Sequence, residues 1–412
     1  MALPRKANAT FFACLFLVCT FQEMCEAAEW SASPSIQLRE DYDDNILLST
    51  QSHQTVTSIW VTPKLDFGVA SDNWQVSGGA ALTRREFPGH SDLNTDAQNF
   101  TLGSSYKTER NIWQLNASSV KTTYLAGATI SSETGLFTQN TGSDMNTVSP
   151  SWTWLMTESN QLQLTYSLSD TSYVNAGSGI FDYRSSTVSG KFSNKYDAYT
   201  QIFLEYDYSI FRVPATNLES KTKSYQVGVT RSFSETMSAT FSIGESSSLN
   251  QQQDVATCAL SFGSTCLIPG PQTTASNRNS SSIFNASLDK QLELLHVTAA
   301  VSRSFSPSAA GHLERTDSAS LSVSRPFTEK LTGNLVASGY KVSADTGSTA
   351  NVDNRRSYQI QPSLGWQWTR ECNLAMGYTY THVQSIIETK PAISHAAYLT
   401  FAYQWPRISI SR

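Results

Sequence analysis

The sequence predicts an all-β chain: a transmembrane, antiparallel, up-and-down β-barrel of about eighteen strands, with sixteen as the alternative. Three observations carry this. Stretches of about ten residues alternate apolar with small or polar from Ser33 to Trp405, the period of a strand with one dry and one wet face. The joints between them alternate short and long, as in a barrel with tight turns at one rim and loops at the other. The mean hydropathy is −0.30, yet the chain carries 9 Trp, 17 Tyr and 19 Phe. A wall that needs apolar residues only at every second position, edged by aromatic belts, has that composition.

The chain opens on a leader. Arg5 and Lys6 precede an apolar run from Ala9 to Phe21, too short to cross a bilayer as a helix of about 20 residues. Cys25-Glu26-Ala27 places small residues for cleavage after Ala27. The expected organisation is a signal peptide over 1–27 and one barrel domain over 28–412. No later run of eighteen apolar residues marks a membrane helix. The net charge of −5, spread thinly, argues against a nucleic-acid partner.

The first strand is expected near Pro34–Tyr42 and the last near Ala392–Trp405. Between them lie eight hairpins, with tight joints near Ala70–Asn73, Thr108–Asn111, Thr157–Asn160, Ser193–Tyr196, Ser234–Met237, Asp289–Leu292, Phe327–Lys330 and Thr369–Asn373. Each joint carries a charged or strongly polar residue, as a solvated turn should. The other connections are longer and rich in Ser, Thr, Asn, Asp and Gly, as in Phe87–Asp96 and Ser247–Ser276. The less regular stretches Pro34–Tyr42 and Thr138–Met156 keep sixteen strands open. With tight joints inside the cell envelope, both termini fall in the periplasm.

Alternation sorts the faces. Ile59, Val61, Leu65 and Phe67, then Leu162, Leu164 and Tyr166, then Ile202, Leu204 and Tyr206 face lipid, and Trp152, Trp154, Trp366 and Trp368 fit its interfaces. Lys191, Glu205 and Asp207 fall on the opposite face and are candidates to line a lumen, where they would set ion preference or pair with one another. Pro63, Pro150 and Pro362 stand mid-strand and suggest bulges or kinks. Arg231, Arg303 and Arg325 recur beside an aromatic in Val-Thr/Ser-Arg-Ser/Pro-Phe, which reads as snorkelling at a membrane edge. Asp43 and Asp44, with Glu40 or Asp41, read as a solvated loop before a Ca²⁺ site. Cys258 and Cys266 are expected to form a disulfide in the longest loop, whereas Cys372 has no evident partner. The six histidines are scattered, and no phosphate loop, zinc spacing or nucleophile elbow occurs. The sequence therefore predicts neither an enzyme nor a cofactor or metal site.

Asp41-Tyr42-Asp43-Asp44-Asn45-Ile46, Val61-Thr62-Pro63-Lys64-Leu65, Arg303-Ser304-Phe305-Ser306-Pro307-Ser308-Ala309-Ala310-Gly311 and Pro326-Phe327-Thr328-Glu329-Lys330-Leu331 resemble the porin-like outer-membrane β-barrel proteins of Gram-negative bacteria. The resemblance is greatest to those associated with exosortase or exopolysaccharide gene clusters. It covers most of the chain after the leader. It implies an outer-membrane barrel serving polysaccharide or surface-protein export, with outer-membrane lipid, the barrel-assembly machinery and export-system components as partners. It supplies no catalytic residue. The chain departs from the usual barrel ending, since Trp405 is followed by Pro406-Arg407-Ile408-Ser409-Ile410-Ser411-Arg412, which is expected to overhang. The expected function is an outer-membrane channel, passive or export-coupled. The alternatives are a non-conducting scaffold barrel and, behind it, an outer-membrane hydrolase.

Overall fold

The computed structural model describes residues 28–51, 53–124, 140–175, 180–253, 258–262, 265–269, 274–307, 313–344, 354–385 and 390–411, and within 252–275 the backbone only. The expected leader lies outside the described residues. Eleven strands come first: β1 (Glu29–Asp43), β2 (Val56–Ala70), β3 (Trp74–Glu86), β4 (Thr95–Lys107), β5 (Asn111–Tyr124), β6 (Thr141–Leu155), β7 (Asn160–Val174), β8 (Tyr183–Lys195), β9 (Thr200–Val213), β10 (Leu218–Ser234) and β11 (Met237–Gln253). A separate hairpin follows, β12 (Cys258–Phe262) with β13 (Thr265–Pro269). The wall resumes with β14 (Thr274–Leu292), β15 (Leu295–Pro307), β16 (Leu313–Pro326), β17 (Leu331–Ala344), β18 (Arg355–Gln367), β19 (Cys372–Ser385) and β20 (Ala392–Gln404), and β21 (Ile408–Ser411) ends the chain.

Each long strand pairs antiparallel with the next, and β1 pairs with β20 from Ser35↔Gln404 to Asp43↔Ala396. The sheet thus closes into a barrel of eighteen strands with no free edge. The irregular stretch after Thr138 is β6 and the first stretch is β1, so the sixteen-strand alternative falls away. All eight tight joints join the strands expected of them. Two lie a few residues later, at 196–199 and 293–294.

Four of these turns share a device that fixes register. Thr108, Thr157, Thr328 and Thr369 each donate a backbone N–H to the carbonyl three residues on. Their Oγ1 atoms accept the N–H of Asn111 (3.1 Å), Asn160 (3.0 Å), Leu331 (3.0 Å) and Cys372 (3.0 Å). A threonine at this place satisfies both ends of the turn locally. At 196–199 an aspartate substitutes: the N–H of Tyr199 donates to Asp197 and holds its carboxyl below the usual range.

The three mid-strand prolines make gaps, not bulges. Pro63, Pro150 and Pro362 keep their partners Ile36, Leu115 and Leu335 on one side. On the other side the ladder lapses, then resumes in unchanged register at Lys64↔Ala81, Ser151↔Thr165 and Ser363↔Gly377. Strand N–H groups point alternately to the two neighbours, so a proline removes one bond without needing an extra residue. The tail also departs from expectation. After Trp405, β21 pairs Ile408 with Ala32 and Ser411 with Glu29, extending the first strand's own ladder.

The faces sort by parity. Ile59, Leu65, Leu164, Tyr166, Ile202, Leu204 and Tyr206 are outward and exposed, a band of apolar residues for lipid. Every tryptophan except Trp60 lies near the tight-turn rim on the outward side, with Trp113, Trp152 and Trp154 stacked at 5.6 and 6.3 Å. Arg231 and Arg325 sit at this rim over Phe233 and Phe327, each at 5.7 Å. Arg303 lies at the opposite rim, over Phe284 at 5.5 Å. The three arginines are therefore one chemistry used at two interfaces.

Candidate functional site: the barrel lumen

The inward set begins as hydroxyls and amides. Paired strands place Thr62 against Thr83 (3.0 Å), Ser149 against Ser167 (2.9 Å), Thr187 against Ser209 (2.6 Å), Thr230 against Thr240 (3.0 Å) and Ser302 against Ser318 (2.8 Å). In each pair one hydroxyl donates to the other, which leaves the second hydroxyl's proton and spare lone pairs for solvent. On β3–β5, Gln75, Ser77, Thr101, Gln114 and Asn116 are inward and exposed, so water reaches the wall there.

Charges interrupt this wall mostly as ion pairs. Lys191 lies 3.5 Å from Glu205 and 4.1 Å from the centre of the Phe203 ring. Asp207 points inward two residues further along β9, beside Ser189 and Ser224 in register. Across the β1–β2 sector, Lys64 pairs with Asp66 at 2.8 Å. These pairs are partly exposed, so each contributes little to stability, about 0–1 kcal/mol. Their effect is on the local field.

A denser cluster lies nearer the long-loop rim. Asp41 pairs with Arg39 (2.6 Å) and lies 3.8 Å from Arg85. Arg85 donates from Nε to Ser58 (3.0 Å) and covers Trp60 and Phe87, each at 4.4 Å. Arg39 covers Tyr398 at 4.2 Å and Trp60 at 5.4 Å. The sequence puts Asp41 at the end of the first strand beside Asp43 and Asp44, with no inward partner, and does not single out Trp60. The parity of Trp60, out of phase with Ile59 and Val61, was the available signal. On the far wall, Glu314 and Arg355 meet at 3.5 Å with both side chains nearly sealed, at 5% and 3% exposure.

The mouth at the long-loop rim is narrowed by chain that turns inward. The chain after Asp44 is not the expected solvated loop, since Asn45, Ile46 and Leu48 are buried. Ile46 packs with Val56, Phe87 and Leu93, while Leu48 packs with Val383 and Ala392. Asn45, fully buried, donates from Nδ2 to the carbonyls of Ser49 (3.0 Å) and Ile393 (2.7 Å). Asp43 and Asp44 are engaged by protein donors: Ser394 Oγ donates to Asp43 (2.8 Å) and the His395 N–H to Asp44 (2.8 Å). On the other side Leu313, at the start of β16, packs with Tyr183, Phe211 and Val213 of β8 and β9. Those strands are not sheet neighbours of β16, so the contact crosses the mouth.

Among the described histidines, His90 faces Gln54 (3.4 Å) and His382 stacks on Tyr358 (4.2 Å). His296 is inward and meets Asp289 at 2.8 Å, a pair built by the hairpin turn between β14 and β15. Cys258 and Cys266 lie on the β12–β13 hairpin, where the register sets Cys258 opposite Pro269 and Cys266 opposite Ser261. Their side chains lie outside what is described, and Cys372 is a free thiol.

No family model and no curated protein sequence matches the chain. Among solved structures, the ferric citrate transporter FecA in its unliganded form aligns over 89% of this chain with a TM-score of 0.50 and 10% identity. The fold is that of an outer-membrane β-barrel. The alignment spans 63% of the FecA chain. OpdO of Pseudomonas aeruginosa aligns over 91% of this chain and 97% of its own, with a TM-score of 0.45 and 12% identity. OpdK of the same organism, solved with vanillate, covers 92% and 99%, with a TM-score of 0.44 and 9% identity. At these identities the likeness is one of architecture.

Proposed function

We propose that this chain is an outer-membrane channel for uncharged, hydroxyl-rich solutes, serving polysaccharide or surface-protein export, with its tight turns and termini in the periplasm. The observation that carries the reading is the inner wall. It is a field of Ser, Thr, Asn and Gln whose charges are met by partners at Asp41, Asp66, Glu205 and Glu314. Hydroxyls and amides both donate and accept, matching a sugar's own groups, while a lumen without strong net charge neither attracts nor repels ions decisively. A transport role is favoured over hydrolysis because no hydroxyl is hydrogen-bonded to the His296–Asp289 pair among the described residues.

A second reading has its own support. The cluster at Leu313 and the buried segment around Asn45 both occupy the mouth, as in a barrel that is shut or serves as a scaffold. Reconstitution into planar bilayers separates the two. A channel gives discrete conductance steps and passes neutral oligosaccharides in liposome-swelling assays. A scaffold barrel, verified as folded, does neither.

A further inference from the structure

The outward face of β15–β18 at the long-loop rim carries charges that neither the lumen nor the turns use. Asp317 stands directly between Arg303 on β15 and Lys341 on β17. Arg303 takes both of its oxygens, at 2.5 and 3.1 Å. Lys341 is opposite Arg356 on β18, and Arg315, two residues along from Asp317, reaches Ser343 Oγ at 3.3 Å. Four cations thus surround one carboxylate, and among the described residues no ion pair involves Arg315, Lys341 or Arg356. Elsewhere on this rim the balance differs. Arg84 is shared by two acids, Glu86 and Asp96, and Lys121 pairs one-to-one with Asp144. A smaller excess stands on β9–β10, where Arg212 and Lys221 share Glu219 and Lys223 follows on the same face.

What lies beneath the cations identifies the ligand class. Directly toward the membrane centre, Ala319 is opposite Gly339. Val301 flanks Ala319 on β15, and Tyr358 flanks Gly339 on β18. Val301 and Tyr358 are both exposed, as is Ile360 below. Two small residues between larger ones form a shallow trough running down the wall from the cation cluster. Guanidinium and ammonium groups held at an interface bind phosphate oxygens through charge-assisted hydrogen bonds, and an apolar trough below them accepts an acyl chain.

We propose that Arg315, Lys341 and Arg356, steadied by the Arg303–Asp317 pair, bind the phosphorylated headgroup of a membrane lipid whose acyl chain lies over Ala319 and Gly339. The assignment rests on the reading of this wall as lipid-facing. Asp317 has a positioning role: it orders Arg303 and draws Lys341 to the site.

The test uses the full mature chain, folded in a neutral detergent, with native mass spectrometry as the readout. The probes are bisphosphorylated lipid A and the same lipid stripped of its phosphates. The expected result is retention of the phosphorylated lipid at about tenfold lower concentration than the stripped one, with this preference lost in Arg315→Gln/Lys341→Gln/Arg356→Gln. The single change Arg356→Gln should weaken it in part, which keeps the test informative if the triple variant folds poorly. Heat-modified gel mobility reports barrel integrity in each case. Equal retention of the two lipids, or an unchanged preference in the folded triple variant, overturns the proposal. Conductance of the same preparations reads the channel separately, so a silent barrel that still prefers the phosphorylated lipid would sink only the channel.

Discussion

Leu313→Ala should open the mouth. Leu313 is 5% exposed and packs with Tyr183, Phe211 and Val213 on a wall that its own strand does not adjoin. Truncating a buried leucine to alanine costs about 2–5 kcal/mol, and the low end applies where one side of the contact can relax toward water. A loss of about 2 kcal/mol from the contact that bridges the mouth shifts its open–closed balance roughly 30-fold, at about 1.4 kcal/mol per tenfold. The assay is single-channel recording beside the wild type, with urea unfolding as control. The expected result is a marked gain in open time or unit conductance, with the wall's stability little changed. If conductance is unaltered while unfolding stability falls by the full amount, the cluster is ordinary wall packing and the reasoning fails.

Three further outcomes follow from the lumen and the turns. Lys191→Glu sets three acids together with Glu205 and Asp207; reversal potentials in a salt gradient should move toward cation preference at about 0.1 M salt. The shift should fade near 1 M, where the screening length drops to about 3 Å, and its persistence there would place the group outside the aqueous lumen. Glu314→Gln removes one carboxylate partner from the sealed Arg355, which should cost about 3 kcal/mol in urea unfolding, and Arg355→Met in the same chain should recover part of that. Thr157→Val removes the Oγ1 acceptor for Asn160 and Ser159; a loss of about 0.5–1.5 kcal/mol is expected, with conductance unchanged.

The wall was legible in the sequence because a period of two over many strands came with an even count of hairpins and joints that alternate tight and long. Even Lys191 and Glu205 could be placed on one face by counting from Leu204 and Tyr206. The threonine turns are legible as tight joints, and Thr-Glu at 108–109, 157–158 and 328–329 is the mark they leave in the sequence. The mouth was not legible. Asp43, Asp44 and Asn45 have the composition of a solvated loop, and only the barrel's closure brings Ile393, Ser394 and His395 within reach of them. Leu313 looks like any strand-start residue until β8 and β9 are seen across the opening. The inward cluster at Asp41 failed for a similar reason, since Arg39, Trp60, Arg85 and Tyr398 come from four strands. Alternation reports which face a residue takes, but it carries no information about what stands opposite across a lumen.

The most direct test of the central claim is the conductance and ion preference of the purified, folded wild-type barrel in a planar bilayer under a salt gradient. A hydroxyl-lined lumen with paired charges predicts discrete steps, a reversal potential near zero and partial block by neutral oligosaccharides. A folded barrel that never conducts, or one that conducts with strong preference for one ion sign, would contradict it.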